Sequence, residues 1–262
     1  RLVPLAAATA AAAAVALLLL VRSRRTPGSQ GCYSGPERER LISILSELSR
    51  RFFFVCQDVA AIAKTVRAKI QAASVDITED KLRAQLSRQC RVFEKLEEIQ
   101  LEVAKQFGCT PADIQTMQQQ AAKDAEVRGY TDGFKAMLDN ALSGGLPVLP
   151  NVQIPQELSE EKVLKIQAEV QELETKKVLD KIGGSKCTLK KLGEVLSLAH
   201  KDAWEEVYAS HSSILQGRPE VYHSALAIYM RNEDFAAERK KLEDAHQRRM
   251  SKLLHPDPGD RG

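Results

Sequence analysis

Eight apolar residues, Leu41, Leu45, Leu48, Phe52, Val55, Val59, Ile62 and Val66, are separated by 4, 3, 4, 3, 4, 3 and 4 positions. A spacing that averages 3.5 returns to one side of an α-helix every two turns, so it marks a helical seam sustained over more than three heptads. A strand cannot use it, because strand side chains alternate with period two. Ile42, Phe53, Phe54 and Ala63 widen the apolar face. That width fits a helix inside a multi-helix bundle better than one strand of a two-stranded coiled coil.

The rest of the chain repeats the theme. Leu82, Leu86, Phe93, Leu96, Val103 and Phe107 form a second seam, with Gln89 and Gln100 on it and Cys90 and Ile99 beside it. It starts after Thr78, with Glu79 and Asp80 in the first turn, and is read as one helix ending at Gly108. Thr110-Pro111-Ala112-Asp113 restarts the chain with a capping-box pattern. The third helix, about 111–143, contains Gly129 and Gly133. Their spacing allows close approach of another segment, but such glycines more often mark a weakened or broken helix. Three further helices are expected: one capped by Ser159, one from Thr188, and one opened by Pro219 and running through Leu253. No alternating stretch makes a strand, and the fold class is all-α with about six helices.

Ahead of this region lies an apolar segment. Leu2–Val21 carries no charge and spans about 30 Å as a helix, the thickness of a hydrocarbon core. Its six Leu and three Val give about −3 to −5 kcal/mol on insertion scales, while its nine Ala are near neutral. Arg22, Arg24 and Arg25 follow at once, with no small-residue cleavage site between. The segment is therefore expected to be a retained single-pass anchor, a removed targeting peptide being the alternative. The arginines place the helical body on the cytosolic side or on a matrix- or stroma-like side. The chain opens on Arg1 rather than Met, so further residues are expected upstream.

The expected organisation is an anchor with a basic flank over 1–25, a linker over 26–36, a helical unit over 37–143, a connector over 144–156 and a second helical unit over 157–262 with a short polar tail. The connector holds Gly144, Gly145, Pro147, Pro150 and Pro155, which exclude a regular helix. It also holds Leu146, Val148, Leu149, Val152 and Ile154. A solvated spacer has no use for five aliphatic residues, so these are the candidate partner-docking residues.

Few residues suggest chemistry. A net charge of +3 is too small to point to nucleic acid. The five cysteines have no CxxC spacing and read as buried or half-buried thiols. His200, His211, His223, His246 and His255 form neither HExxH nor an i, i+4 pair, so no metal site is assigned. His200 stands one turn before Trp204, within contact range. Gly183-Gly184-Ser185-Lys186 lacks the spacing of a P-loop and reads as a turn. The last helix carries Arg239, Lys240, Lys241, Arg248, Arg249 and Lys252, diluted by Glu238, Glu243 and Asp244; it reads as a solvated face whose sign also suits acidic proteins or headgroups. The sequence thus favours a non-catalytic, membrane-tethered scaffold or accessory subunit with other protein subunits as partners and no cofactor. The alternatives are a trafficking or transport adaptor at a membrane face and an enzyme with a helical site that one sequence does not reveal.

Overall fold

A computed structural model of the chain describes residues 35–182 and 189–254. Among the described residues there are ten helices and no strands: α1 (Pro36–Ala72), α2 (Glu79–Gln89), α3 (Val92–Gln106), α4 (Pro111–Gln120), α5 (Ala125–Leu142), α6 (Glu160–Ile182), α7 (Leu189–Ser210), α8 (Ser212–Leu215), α9 (Pro219–Tyr229) and α10 (Glu233–Leu254). Among these residues no helix is long and apolar enough to cross a membrane. The expected span Leu2–Val21 and its flank Arg22, Arg24 and Arg25 lie outside the described residues.

The chain forms two compact units that divide between Val152 and Gln153. The first is organised by α1, 37 residues long, started by Pro36 with Glu37 and Glu39 in its first turn and Lys69 in its last. The buried side chains of α1 begin on the heptad seam with Leu41, Leu45, Leu48 and Phe52 and end on Cys56, Val59, Ala60 and Ala63. An ordinary α-helix turns about 20° per heptad relative to a 3.5-residue repeat. By Ile62, 39% exposed, one flank of the seam has left the core, while Val59 and Val66 on the other flank still pack on it. α5 and α3 supply the opposing walls, with Phe134 ringed against Phe52 at 5.9 Å and with Val92, Leu96 and Val103 buried. Arg51 reaches Glu102 and Arg40 reaches the Phe107 carbonyl, so α1 and α3 run antiparallel. α5 runs with α1: Arg38 meets Asp124 at its start, and Arg67 meets the Leu142 carbonyl at its end.

Three expected helices are each two. The helix expected from 79 to 107 breaks at Cys90 and Arg91, where Arg91 takes a left-handed conformation (φ 51°). The break falls beside Gln89, one of the two polar residues on the seam, and lets Leu86 and Val92 both be buried. The helix expected over 111–143 breaks before Asp124, whose Oδ1 accepts from the Glu126 and Val127 amides at 2.9 and 3.2 Å. Gly129 and Gly133 lie inside the unbroken α5 instead. The last helix breaks at Met230–Asn232, where Asn232 Oδ1 accepts from the Asp234 amide at 3.0 Å. The capping box forms: Asp113 N–H donates to Thr110 Oγ1 at 3.2 Å and Thr110 N–H to Asp113 Oδ2 at 2.8 Å.

In the second unit, α6 and α7 pair antiparallel: Glu169 meets His211, Lys177 meets Glu206 and Lys181 meets Asp202, one position falling as the other rises. α9 and α10 pack on α6. The core combines Val163, Ile166 and Val170 with Ala203, Val207, Tyr222 and Phe235.

Candidate functional site

The first unit carries an apolar groove where α1 ends and α2 begins. Val66 and Ile70 come from the last turns of α1; Val75 and Ile77 come from the connecting turn; α2 supplies Leu82, Gln85, Leu86 and Gln89. The volume is about 260 Å³. Its mouth is built by a helix-ending motif: Val75 N–H donates to the Ile70 carbonyl at 3.2 Å and Ser74 N–H to the Gln71 carbonyl at 3.2 Å. Ser74 holds the left-handed position (φ 51°) usually given to glycine. This geometry brings the residue two beyond the cap against the last turn, which sets Val75 beside Ile70. Val75 is 54% exposed.

Apart from the lining, an arginine-carboxylate knot ties α1, α2 and α5 together. Arg67 donates to Glu79 Oε2 and Oε1 at 2.9 and 2.6 Å and to the Leu142 carbonyl at 2.9 Å. Arg83 donates to Glu79 Oε1 at 2.8 Å, Asp139 Oδ1 at 3.0 Å and Ser143 Oγ at 2.6 Å. The hydrogen bond from Arg67, and then that from Arg83, holds the Glu79 carboxyl down at about 2. Three helices are thereby clamped at one corner, leaving an apolar slot with two amide side chains on its rim. Such a slot accepts an apolar group and can offer it amide hydrogen bonds. Earlier in α1, Phe54 and Ile62 are also exposed.

The connector residues are dispersed. Leu149 is buried and Val152 half-buried in the first unit's core, while Ile154 packs on the second unit's core. Val148 is half-buried and Leu146 exposed, so these two remain the accessible part of the expected docking strip.

The second unit holds an aromatic and polar cluster of which helical spacing anticipates only the His200–Trp204 contact. Trp204 stacks on Tyr208 with centroids 4.9 Å apart and meets Tyr222 at 5.2 Å. The Tyr208 hydroxyl and His223 Nε2 share a hydrogen bond of 2.7 Å, and Tyr222 donates to Gln167 Oε1 at 3.1 Å. The Trp204 indole donates to His200 Nε2 at 3.2 Å, so the neutral His200 carries its proton on Nδ1, which faces Glu174 Oε2 at 3.3 Å. His246 Nε2 approaches the same oxygen at 3.5 Å. The Glu174 contact raises the His200 imidazole; burial lowers His246 and pushes His223 down to about 4. Burial also drives the Tyr208 and Tyr222 phenols well above their ordinary range, so neither serves as a base near neutrality. Among the described residues the buried side-chain atoms without a hydrogen-bond partner are Gln171 Oε1, Glu220 Oε2, Arg239 Nε and His246 Nδ1, all in this unit.

Among the described residues no group of three or more His, Cys, Asp or Glu is arranged to hold a metal ion. Cys56 is buried and its thiol is raised by burial, which makes it unreactive. His255 and the Gly183–Lys186 turn lie outside the described residues. One pointer to the groove was legible in the sequence: the aliphatic residues Ile70, Val75 and Ile77 straddling the turn at Ser74. Comparison of the chain with protein-family models, with curated proteins and with solved structures gives no match.

Proposed function

We propose that this chain is a non-catalytic, membrane-tethered helical scaffold or accessory subunit that receives an apolar side chain of a partner protein in the groove between α1 and α2. The groove carries this reading. It is open, lined by six aliphatic residues, and held in shape by the Arg67–Glu79–Arg83 knot rather than by whatever enters it. A preformed apolar slot loses little freedom when a partner binds, and that favours association over collapse. Amphipathic helices engage grooves of this kind through residues one turn apart. Exposed Leu146 and half-buried Val148 supply a second apolar contact on the same unit. The tether is Leu2–Val21, and Arg22, Arg24 and Arg25 set its orientation.

A photocrosslinking amino acid at Val75 in the full chain tests the docking role. It should capture a discrete partner from native membranes, and Val75→Glu with Gln85→Lys should abolish co-purification of that partner without changing the melting temperature. Undiminished co-purification from the double variant would remove the groove from the proposal. Carbonate extraction tests the tether separately: release of the intact chain means it is not an integral anchor.

An enzymatic second reading takes its support from the partnerless buried polar atoms around the Trp204 cluster. Unpaired polar groups at these positions are the places where a ligand would make up missing hydrogen bonds. A small molecule that raises the second unit's melting temperature and is lost on Gln171→Leu would favour it.

A further inference from the structure

α10 has two unlike sides. Phe235 is buried, and Arg239, Leu242, His246, Met250 and Leu253 are half-buried at spacings of 4, 3, 4, 4 and 3, which marks the side that packs inward. Lys240, Arg248, Arg249 and Lys252 are exposed. Two other basic residues on the helix are already neutralised: Lys241 pairs with Glu238 at 2.6 Å, and Arg239 pairs with Glu243. Asp244 is the acidic residue interspersed among the four exposed cations. The run from Lys240 to Lys252 covers about 18 Å of helix.

We propose that this face of α10 binds the anionic headgroups of a lipid surface. An acidic protein is the competing partner, and the composition of the face argues against it. Between the cations stand Gln247, Ser251 and Ala245, with no exposed aromatic or large aliphatic residue to fill a partner's pocket. Protein interfaces draw their affinity from such anchors. Headgroup binding needs no such anchor, only charge on the side of the helix turned away from the core, and each cation near an anionic surface strengthens it about fivefold. Four cations against one carboxylate therefore give a preference for anionic over neutral lipid of about a hundredfold. The proposal rests on the chain working beside a membrane, but it does not require Leu2–Val21 to insert.

The test uses the chain's single tryptophan, Trp204, which belongs to the same unit. The full chain is mixed with vesicles containing dansyl-phosphatidylethanolamine, either in phosphatidylcholine alone or with phosphatidylserine added. Energy transfer from Trp204 should be strong with phosphatidylserine, weak without it, and suppressed at about 0.5 M salt, where screening reaches only a few ångströms. The variant K240E/R248E/R249E/K252E, checked for helix content by circular dichroism, should lose the phosphatidylserine-dependent transfer. Equal transfer with both vesicle compositions overturns the proposal, as does transfer that neither salt nor charge reversal diminishes. Flotation on pure phosphatidylcholine vesicles reports the anchor independently, so a chain that floats there without phosphatidylserine-dependent transfer retains its tether and loses this surface.

Discussion

Pro150 lies against the backbone of Gly133, in the space that a side chain at position 133 would occupy. A methyl group there would sit 2.6 Å from Pro150 Cβ and 2.9 Å from its Cα. One turn earlier, a side chain at Gly129 would collide with Asn151, whose Nδ2 donates to the Glu126 carbonyl at 3.0 Å. The two glycines weaken α5 as an isolated helix, yet they let the connector lie directly on it.

Gly133→Ala should therefore destabilise the first unit by about 1–3 kcal/mol through overpacking, although alanine is the better helix former. Gly193 in α7 has nothing within 4 Å of its added methyl, and Gly193→Ala should stabilise by about 0.5–1 kcal/mol. Thermal melts of both variants make the comparison. A Gly133→Ala protein that melts at or above the wild-type temperature would mean that the connector is not seated there.

The drift of the apolar seam along α1 predicts a gradient of mutational cost. Phe52, 2% exposed and against Phe134, should lose about 3–5 kcal/mol on Phe52→Ala. Ile62→Ala should stay within about 0.5 kcal/mol. Val55 is only half-buried, so its response should fall between them. Equal costs at positions 52 and 62, read by urea unfolding, would restore a straight heptad seam.

Arg67 serves both oxygens of Glu79 and the last-turn carbonyl of α5 at Leu142. Lysine keeps the charge but lacks the planar fork that reaches all three acceptors. Arg67→Lys should cost about 0.5–1.5 kcal/mol, a modest figure because the group is partly exposed and screened. The loss should persist in high salt, since geometry rather than net charge is removed. Full recovery of stability in salt would show the contact to be a simple ion pair.

The pH dependence has two separate windows. His223 is held down to about 4 by burial, whereas an unfolded imidazole titrates at about 6.5. As pH falls the unfolded chain takes up this proton first, so the stability tied to neutral His223 is complete above about 6.5 and is lost toward about 4, on the order of 3 kcal/mol. His246, lowered by burial, acts in the same direction. His200, raised by Glu174, opposes them: its contribution is complete below the ordinary value and is lost as pH rises through the raised one. Glu79 and Asp124, each held at about 2 by arginine contacts, begin to lose their contribution as pH enters the ordinary carboxylate range and lose it fully below about 2. Melting temperatures from pH 7 to 4 should decline less steeply in His223→Gln, which starts lower because it loses the Tyr208 hydrogen bond. Parallel curves would acquit His223.

The sequence by itself determined that the described region is helical, because the spacing of Leu41, Leu45, Leu48 and Phe52 is compatible with one secondary structure only. It also determined the start of α4, where Thr110, Pro111 and Asp113 satisfy the helix end with atoms a few residues apart. Caps at Asp124 and Asn232 were equally local, but each is a single polar residue inside a long amphipathic stretch, and periodicity averaged over them. Tertiary structure decided what depends on contact between distant segments. Gly129 and Gly133 read alone as helix breakers, and only the arrival of Pro150 and Asn151 gives them their role. The left-handed turn at Arg91 has no glycine to announce it; it exists because Leu86 and Val92 are both buried. The groove and the cluster around Trp204 were legible only in fragments, at Ile70, Val75 and Ile77 and at the His200–Trp204 pair, for the same reason. Each assembles side chains from separate elements, and a one-dimensional pattern records which face a residue takes but not which other face it will meet.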